Sequence, residues 1–109
     1  MKRVYLDYNA TTPCLPEVLK AWMVAAKQFG NPSGLYDRGR QAKLLIETAR
    51  DQVASFIGAS SDHVFFTGSA TEANNTVLKS YFYRCKSLRL PCHIVTSTIE
   101  HSSVMKTCA

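Results

Sequence analysis

The sequence predicts an α/β fold whose sheet is incomplete within the 109 residues. Two short runs, His63-Val64-Phe65-Phe66-Thr67 and His93-Ile94-Val95-Thr96-Ser97, are apolar and β-prone without alternation. That composition suits strands covered on both faces, as in a parallel sheet. Between the runs lies a turn of small residues, then Val77, Leu78, Tyr81 and Phe82 at helical spacing. Strand, turn, helix and strand make a βαβ unit, whose right-handed crossover leaves its strands parallel.

The earlier elements follow from local chemistry. Val4 to Asp7 reads as a short extended piece, followed by the polar turn Tyr8-Asn9-Ala10-Thr11-Thr12-Pro13. Pro16 and Glu17 suit a helix start: proline needs no amide partner there, and the carboxylate meets the positive end of the dipole. Val18, Trp22, Ala25 or Ala26, and Phe29 give that helix one apolar face, with Gly30 as its expected stop. Gly30-Asn31-Pro32-Ser33-Gly34 is a loop by composition. A longer helix follows, with Ala42, Leu45, Ile46, Ala49, Val53, Phe56 and Ile57 on one stripe and Gly58 closing it. After the second strand, Glu100-His101-Ser102-Ser103-Val104 reads as another strand-to-helix turn. A sheet that stops there is not a complete domain, so the isolated chain is expected to be marginally stable.

Composition excludes several classes. Hydrophobic residues make up 46% and charged residues 19%, which is ordinary for a globular core and argues against disorder. No apolar run approaches the roughly 18 residues a membrane span needs, and the N-terminus lacks the apolar stretch of a signal peptide, so a soluble, cytoplasmic chain is expected. The net charge is +5, but the 13 Lys and Arg are scattered. Nucleic-acid binding wants a denser stripe, so none is expected. Cys14, Cys85, Cys92 and Cys108 form no CxxC pair and match no zinc spacing; no metal site is expected, and the thiols read as free.

Two places carry candidate chemistry. Gly68, Ser69, Ala70 and Thr71 stand where a helix begins after the first strand. Small side chains leave the first amides open to an anion, with two hydroxyls beside them; the same residues also make an ordinary helix cap. The turn is neither a Walker loop nor GxGxxG. His101 lies just past the second strand, at the carboxyl end where parallel sheets place ligands, and an imidazole there either stacks on a flat ring, moves protons or is structural. Asn74 and Asn75, poor residues for a helix interior, hint at packing against neighbouring polar loops rather than catalysis.

Four blocks in order carry a resemblance: Tyr5-Leu6-Asp7-Tyr8-Asn9-Ala10-Thr11-Thr12-Pro13, Gly30-Asn31-Pro32-Ser33, Phe66-Thr67-Gly68-Ser69-Ala70-Thr71-Glu72-Ala73-Asn74-Asn75, and Ile99-Glu100-His101-Ser102-Ser103-Val104. Together they resemble cysteine desulfurases of the NifS/IscS type, class V members of the aspartate-aminotransferase (type I) fold that depend on pyridoxal 5'-phosphate (PLP). The resemblance covers nearly all of this chain but only the opening part of that family's length. It implies an incomplete mixed or parallel sheet flanked by helices, with residues 1–14 belonging to the small domain and 15–109 beginning the large PLP-binding domain.

The resemblance also implies roles. Ala70 and Thr71 would hold the PLP phosphate, His101 would stack on the pyridine ring and assist proton transfer, and the Asn9–Thr12 turn would lie near the substrate entrance. Sulfur would pass from L-cysteine to an enzyme thiolate, leaving L-alanine, for iron–sulfur cluster or tRNA thiolation pathways. A homodimer with sulfur-acceptor or scaffold partners is implied. The alternatives are another class V PLP enzyme such as selenocysteine lyase, or a non-catalytic remnant acting as a binding module. The chain departs from the pattern at Gly68-Ser69, where the family has Ser-Gly, and at Gly34 and Tyr36, where it has a second Ser and a His. In the family, the cofactor lysine, the acidic partner of the pyridine nitrogen and the persulfide cysteine lie beyond the matched part. None of Lys79, Lys106, Cys85 or Cys108 stands in a motif that replaces them, so these 109 residues alone are expected to be inactive.

Overall fold

The computed structural model describes residues 3–109; Met1 and Lys2, the start of the segment expected over 1–14, lie outside the described residues. The chain forms two compact units that divide between Val64 and Phe65, and its described residues contain four α-helices and one 3-10 helix.

In the first unit, the Tyr8–Ala10 turn closes through Asp7, whose carbonyl accepts from Ala10 N at 3.2 Å and from the Tyr5 hydroxyl at 2.8 Å. Helix α1 (Pro16–Ala26) begins with proline in its first turn and no side-chain cap from Leu15. It stops earlier than the expected Gly30. Lys27 N donates to Val24 O and Gln28 N to Ala25 O, a three-residue spacing that tightens and ends the last turn. Phe29 therefore leaves the helix, and its ring lies beneath the Arg38 guanidinium at 5.8 Å.

Helix α2 (Asp37–Ile57) runs where the apolar stripe predicts. Its first turn meets the preceding loop so closely that a Cβ on buried Gly39 would lie 2.5 Å from Gly34 O and 2.6 Å from Asn31 O. Gly58 ends the helix in the left-handed region at φ 68°, with Ala59 N donating to Ala54 O at 2.9 Å and Gly58 N to Ser55 O at 3.3 Å. The 3-10 helix (Ser61–His63) then turns the chain back on α2. Arg50, paired with Glu47 at 3.2 Å, donates to Val64 O, and Ala54 and Val64 form the buried centre of this unit.

In the second unit, α3 (Ala70–Ser87) and α4 (Ser102–Cys108) pack on each other. Helix α3 ends in the same hydrogen-bond pattern as α2, with Leu90 N donating to Cys85 O at 2.9 Å and Arg89 N to Lys86 O at 3.2 Å. Here the left-handed residue is Arg89, at φ 53°.

The predicted sheet is not formed. Among the described residues there is no strand: 64–67 and 91–97 carry no regular hydrogen-bonded structure, although Val64 is extended at φ −103°, ψ 121°. A strand needs a neighbour to pair its amides and carbonyls, and the βαβ reading left both faces of each run to be covered by other elements. Phe65 and Val95 are accordingly 80% and 86% exposed. Helices, whose hydrogen bonds close locally, form without that help.

Arg89→Gly is expected to raise stability by about 1 kcal/mol, because a left-handed conformation costs an L-residue roughly that much and glycine nothing. Chemical denaturation of both variants, compared by midpoint, measures it; a lower midpoint for Arg89→Gly contradicts the assignment.

Candidate functional site

The turn before α3 is a reciprocal cap. Ser69 is extended at φ −165°, ψ 160°, and its Oγ accepts from Glu72 N at 3.1 Å. Glu72 Oε2 reaches back to accept from Gly68 N at 2.8 Å. The cap reading therefore holds for Ser69 and Glu72. Gly68 N and Glu72 N are consumed by the cap, whereas the amides of Ala70 and Thr71 have no protein acceptor among the described residues. With the Thr71 hydroxyl and the remaining proton of Ser69 Oγ, they are the donors left at the positive end of an 18-residue helix. A Cβ on Gly68 would already lie 3.1 Å from Glu72 Oε2, so the small residue keeps the approach open.

His101 is the N-cap of α4. Its Nδ1 accepts from Ser103 N at 3.1 Å and lies 2.9 Å from Ser103 Oγ. Ser103 is buried, and its Oγ also accepts from Asn74 Nδ2 at 2.9 Å. Asn75 receives the Thr107 hydroxyl on Oδ1 at 3.0 Å and donates through Nδ2 to Thr71 O at 2.9 Å. The two asparagines thus pack α3 onto the polar His101–Thr107 segment, the use their helix-interior position suggested. Asn74 follows Ala70 by four residues and shares its face, about 6 Å along the axis. The turn of His101 is tied to α3 one helical turn beyond the open amides of Ala70 and Thr71. What the sequence did not reveal was that Asn74 reaches His101 through Ser103.

The remaining candidates lie apart from this arrangement. Lys79 and Cys108 line an open groove of 470 Å³ with Phe82, Cys92 and Ile94, which takes in neither Ala70, Thr71 nor His101. Cys85 is buried, Cys92 half-buried, and Cys14 and Cys108 are exposed; all four thiols are free. Partial burial, then a hydrogen bond with Cys85, pushes the Cys92 thiol above its ordinary range, and the Tyr81 hydroxyl is raised by its own hydrogen bond to Cys85. No three His, Cys, Asp or Glu side chains cluster for a metal among the described residues, and no helix there is long and apolar enough to cross a membrane.

Comparison with known proteins agrees with the four sequence blocks. Residues 4–109 match the aminotransferase class-V family. The cysteine desulfurase IscS of Dictyoglomus turgidum is 44% identical over 110 residues, covering 99% of this chain and 27% of that protein. The selenocysteine lyase of Xenopus tropicalis is 46% identical over 114 residues, covering 94% of this chain and 26% of its own length. A solved NifS-like protein superposes with a TM-score of 0.89 at 37% identity, covering 98% of this chain and 29% of that one. The chain therefore spans about a quarter of the length of the relatives it matches.

A raised thiol pKa means less thiolate at neutral pH, so Cys92 is expected to alkylate more slowly than exposed Cys14, the gap narrowing as pH rises. Peptide-resolved iodoacetamide labelling across pH measures both rates. Equal rates at neutral pH contradict the shift.

Proposed function

The chain belongs to the aminotransferase class-V family, and from that premise we propose that it is part of a PLP-dependent enzyme that takes sulfur from L-cysteine. The observation that carries the cofactor assignment is the pair of unpaired amides at Ala70 and Thr71, beside the Thr71 and Ser69 hydroxyls. These donors fit a phosphate without any cationic side chain. Bound PLP supplies an electron sink for the amino-acid substrate. The chain's own contribution is to anchor the phosphate through Ala70 and Thr71 and to present His101, whose ring is fixed by Ser103, for stacking and proton handling.

The 63–67 and 93–97 segments are, in this proposal, strands of the type I fold that pair once neighbouring strands of the enzyme are present. Support comes from the TM-score of 0.89 against the NifS-like protein. The proposal keeps residues 1–14 with a small domain and 15–109 with the large one. It also keeps a cytoplasmic homodimer that hands sulfur to an acceptor or scaffold protein.

Selenocysteine lyase is the second reading, favoured by identities as high as those of the desulfurases: 46% against 44%. Within these residues the identities do not separate the two activities. Turnover of L-cysteine against L-selenocysteine by the full-length protein separates them.

Alanine release from L-cysteine by the full-length, PLP-loaded protein is the expected result, and these 109 residues by themselves are expected to give none. Thr71→Val should weaken PLP binding roughly tenfold, the loss of one hydrogen bond to a charged group. Equilibrium titration by cofactor absorbance reads that change. A full-length protein whose spectrum does not respond to PLP would leave the non-catalytic binding module in its place.

A further inference from the structure

We propose that Asn74 and Ser103 are positioning residues that hold His101 in one neutral tautomer, with its proton on Nε2. The direction of every hydrogen bond follows from one group that cannot reverse. A backbone amide only donates, so Ser103 N, 3.1 Å from His101 Nδ1, requires a lone pair on that nitrogen. Ser103 Oγ, 2.9 Å from the same Nδ1, can then approach only by donating its own proton. Its lone pairs are left to accept, and Asn74 supplies the donor, Nδ2 at 2.9 Å. The polarity runs from Asn74 to Ser103 to His101.

The surroundings favour keeping that order. Ser103 is 7% exposed, so water competes poorly for its hydroxyl. The Thr107 hydroxyl lies 2.8 Å from the Ser103 carbonyl and 3.0 Å from Asn75 Oδ1 and shares its one proton between them, a second link between α4 and α3 beside the chain of bonds. With Nδ1 engaged by two donors, Nε2 is the nitrogen left to meet a ligand, and it meets it as a donor. Taking up a proton at Nδ1 requires breaking the cap of α4. The neutral ring is thus set to give a hydrogen bond from Nε2, not to accept one there.

The proposal rests on the PLP reading only for what lies opposite Nε2; the tautomer itself is independent of cofactor. Long-range proton–nitrogen NMR on histidine-labelled full-length protein, at a pH where the imidazole is neutral, reads the protonation of each ring nitrogen. In the wild type, Nδ1 is expected at the unprotonated position and Nε2 at the protonated one. Asn74→Asp keeps the shape but can only accept, turning the Ser103 hydroxyl away and setting its lone pair against Nδ1; the two nitrogen signals should converge. Ser103→Ala, which keeps the backbone cap, should move them less, and Ser103→Thr should restore them. Thr107→Val breaks the neighbouring bridge and should leave them in place, separating positioning from loosened packing. A wild-type proton on Nδ1, or unchanged signals in both Asn74→Asp and Ser103→Ala, overturns the proposal. If the tautomer responds as expected but the PLP absorbance of the loaded protein is the same in wild type and Asn74→Asp, the positioning stands. What then falls is the placement of His101 beside the cofactor.

Discussion

The second unit depends on a buried hydroxyl. Ser103 sits where α4 meets α3, and each polar atom it carries has an assigned partner: its amide and Oγ at His101, Oγ again at Asn74, its carbonyl at Thr107. Each such bond contributes only about 0.5–1.5 kcal/mol net, but leaving one buried partner unsatisfied costs about 1–3 kcal/mol. The asymmetry is what gives the contact its direction. Leucine or valine faces on the two helices would bind them through area and tolerate sliding. Asn74 opposite Ser103 and Asn75 opposite Thr107 favour one register, and that register ties the turn of His101 to α3 through Ser103.

The same preference for polar specificity over burial runs through the chain. Among the described residues the buried apolar side chains are Ala54, Val64 and Cys85, all small or medium-sized, while Phe56 is 90% exposed. What fixes the helices is their ends. Ser69 and Glu72 cap α3, His101 caps α4, and paired carbonyl-to-amide bonds close α2 at Gly58 and α3 at Arg89. Caps are local and need few contacts, so they are satisfied even where apolar faces such as that of α1 remain uncovered.

Legibility in the sequence divides along the same line. Helix α2 and its stop could be read because a 3.6-residue stripe and a glycine are signals contained within the segment itself. The start of α3 could be read for the same reason. The end of α1 could not: its apolar spacing continues to Phe29, but the last turn tightens at Lys27 and Phe29 is taken by Arg38, a residue of the next helix. Arg89 in the left-handed region carries no sequence signal either, since glycine or asparagine is the usual occupant. The 63–67 and 93–97 runs read as strands from composition, but neither is one among the described residues, because pairing is non-local and is not carried by the segment itself. Asn74 and Asn75 were legible as residues with a polar use, though the partners, Ser103 and Thr107, lie 29 and 32 positions away.

Glu72 imposes the sharpest constraint on the candidate site. Its carboxylate, drawn to Gly68 N, stands close to where an anion would settle, and like charges repel. Two features offset this. The carboxylate is itself at the positive end of α3, where the helix favours negative charge. Its Oε2 is also held at Gly68 N by the reciprocal cap, which takes up the donation of that amide. An anion at this turn would find its open donors at Ala70 N, Thr71 N and the Thr71 hydroxyl, not at Gly68 N. The cap that stabilises the helix thus also determines which face of its first turn can receive a ligand. That is the face continued, four residues on, by Asn74 and the bonds that hold His101.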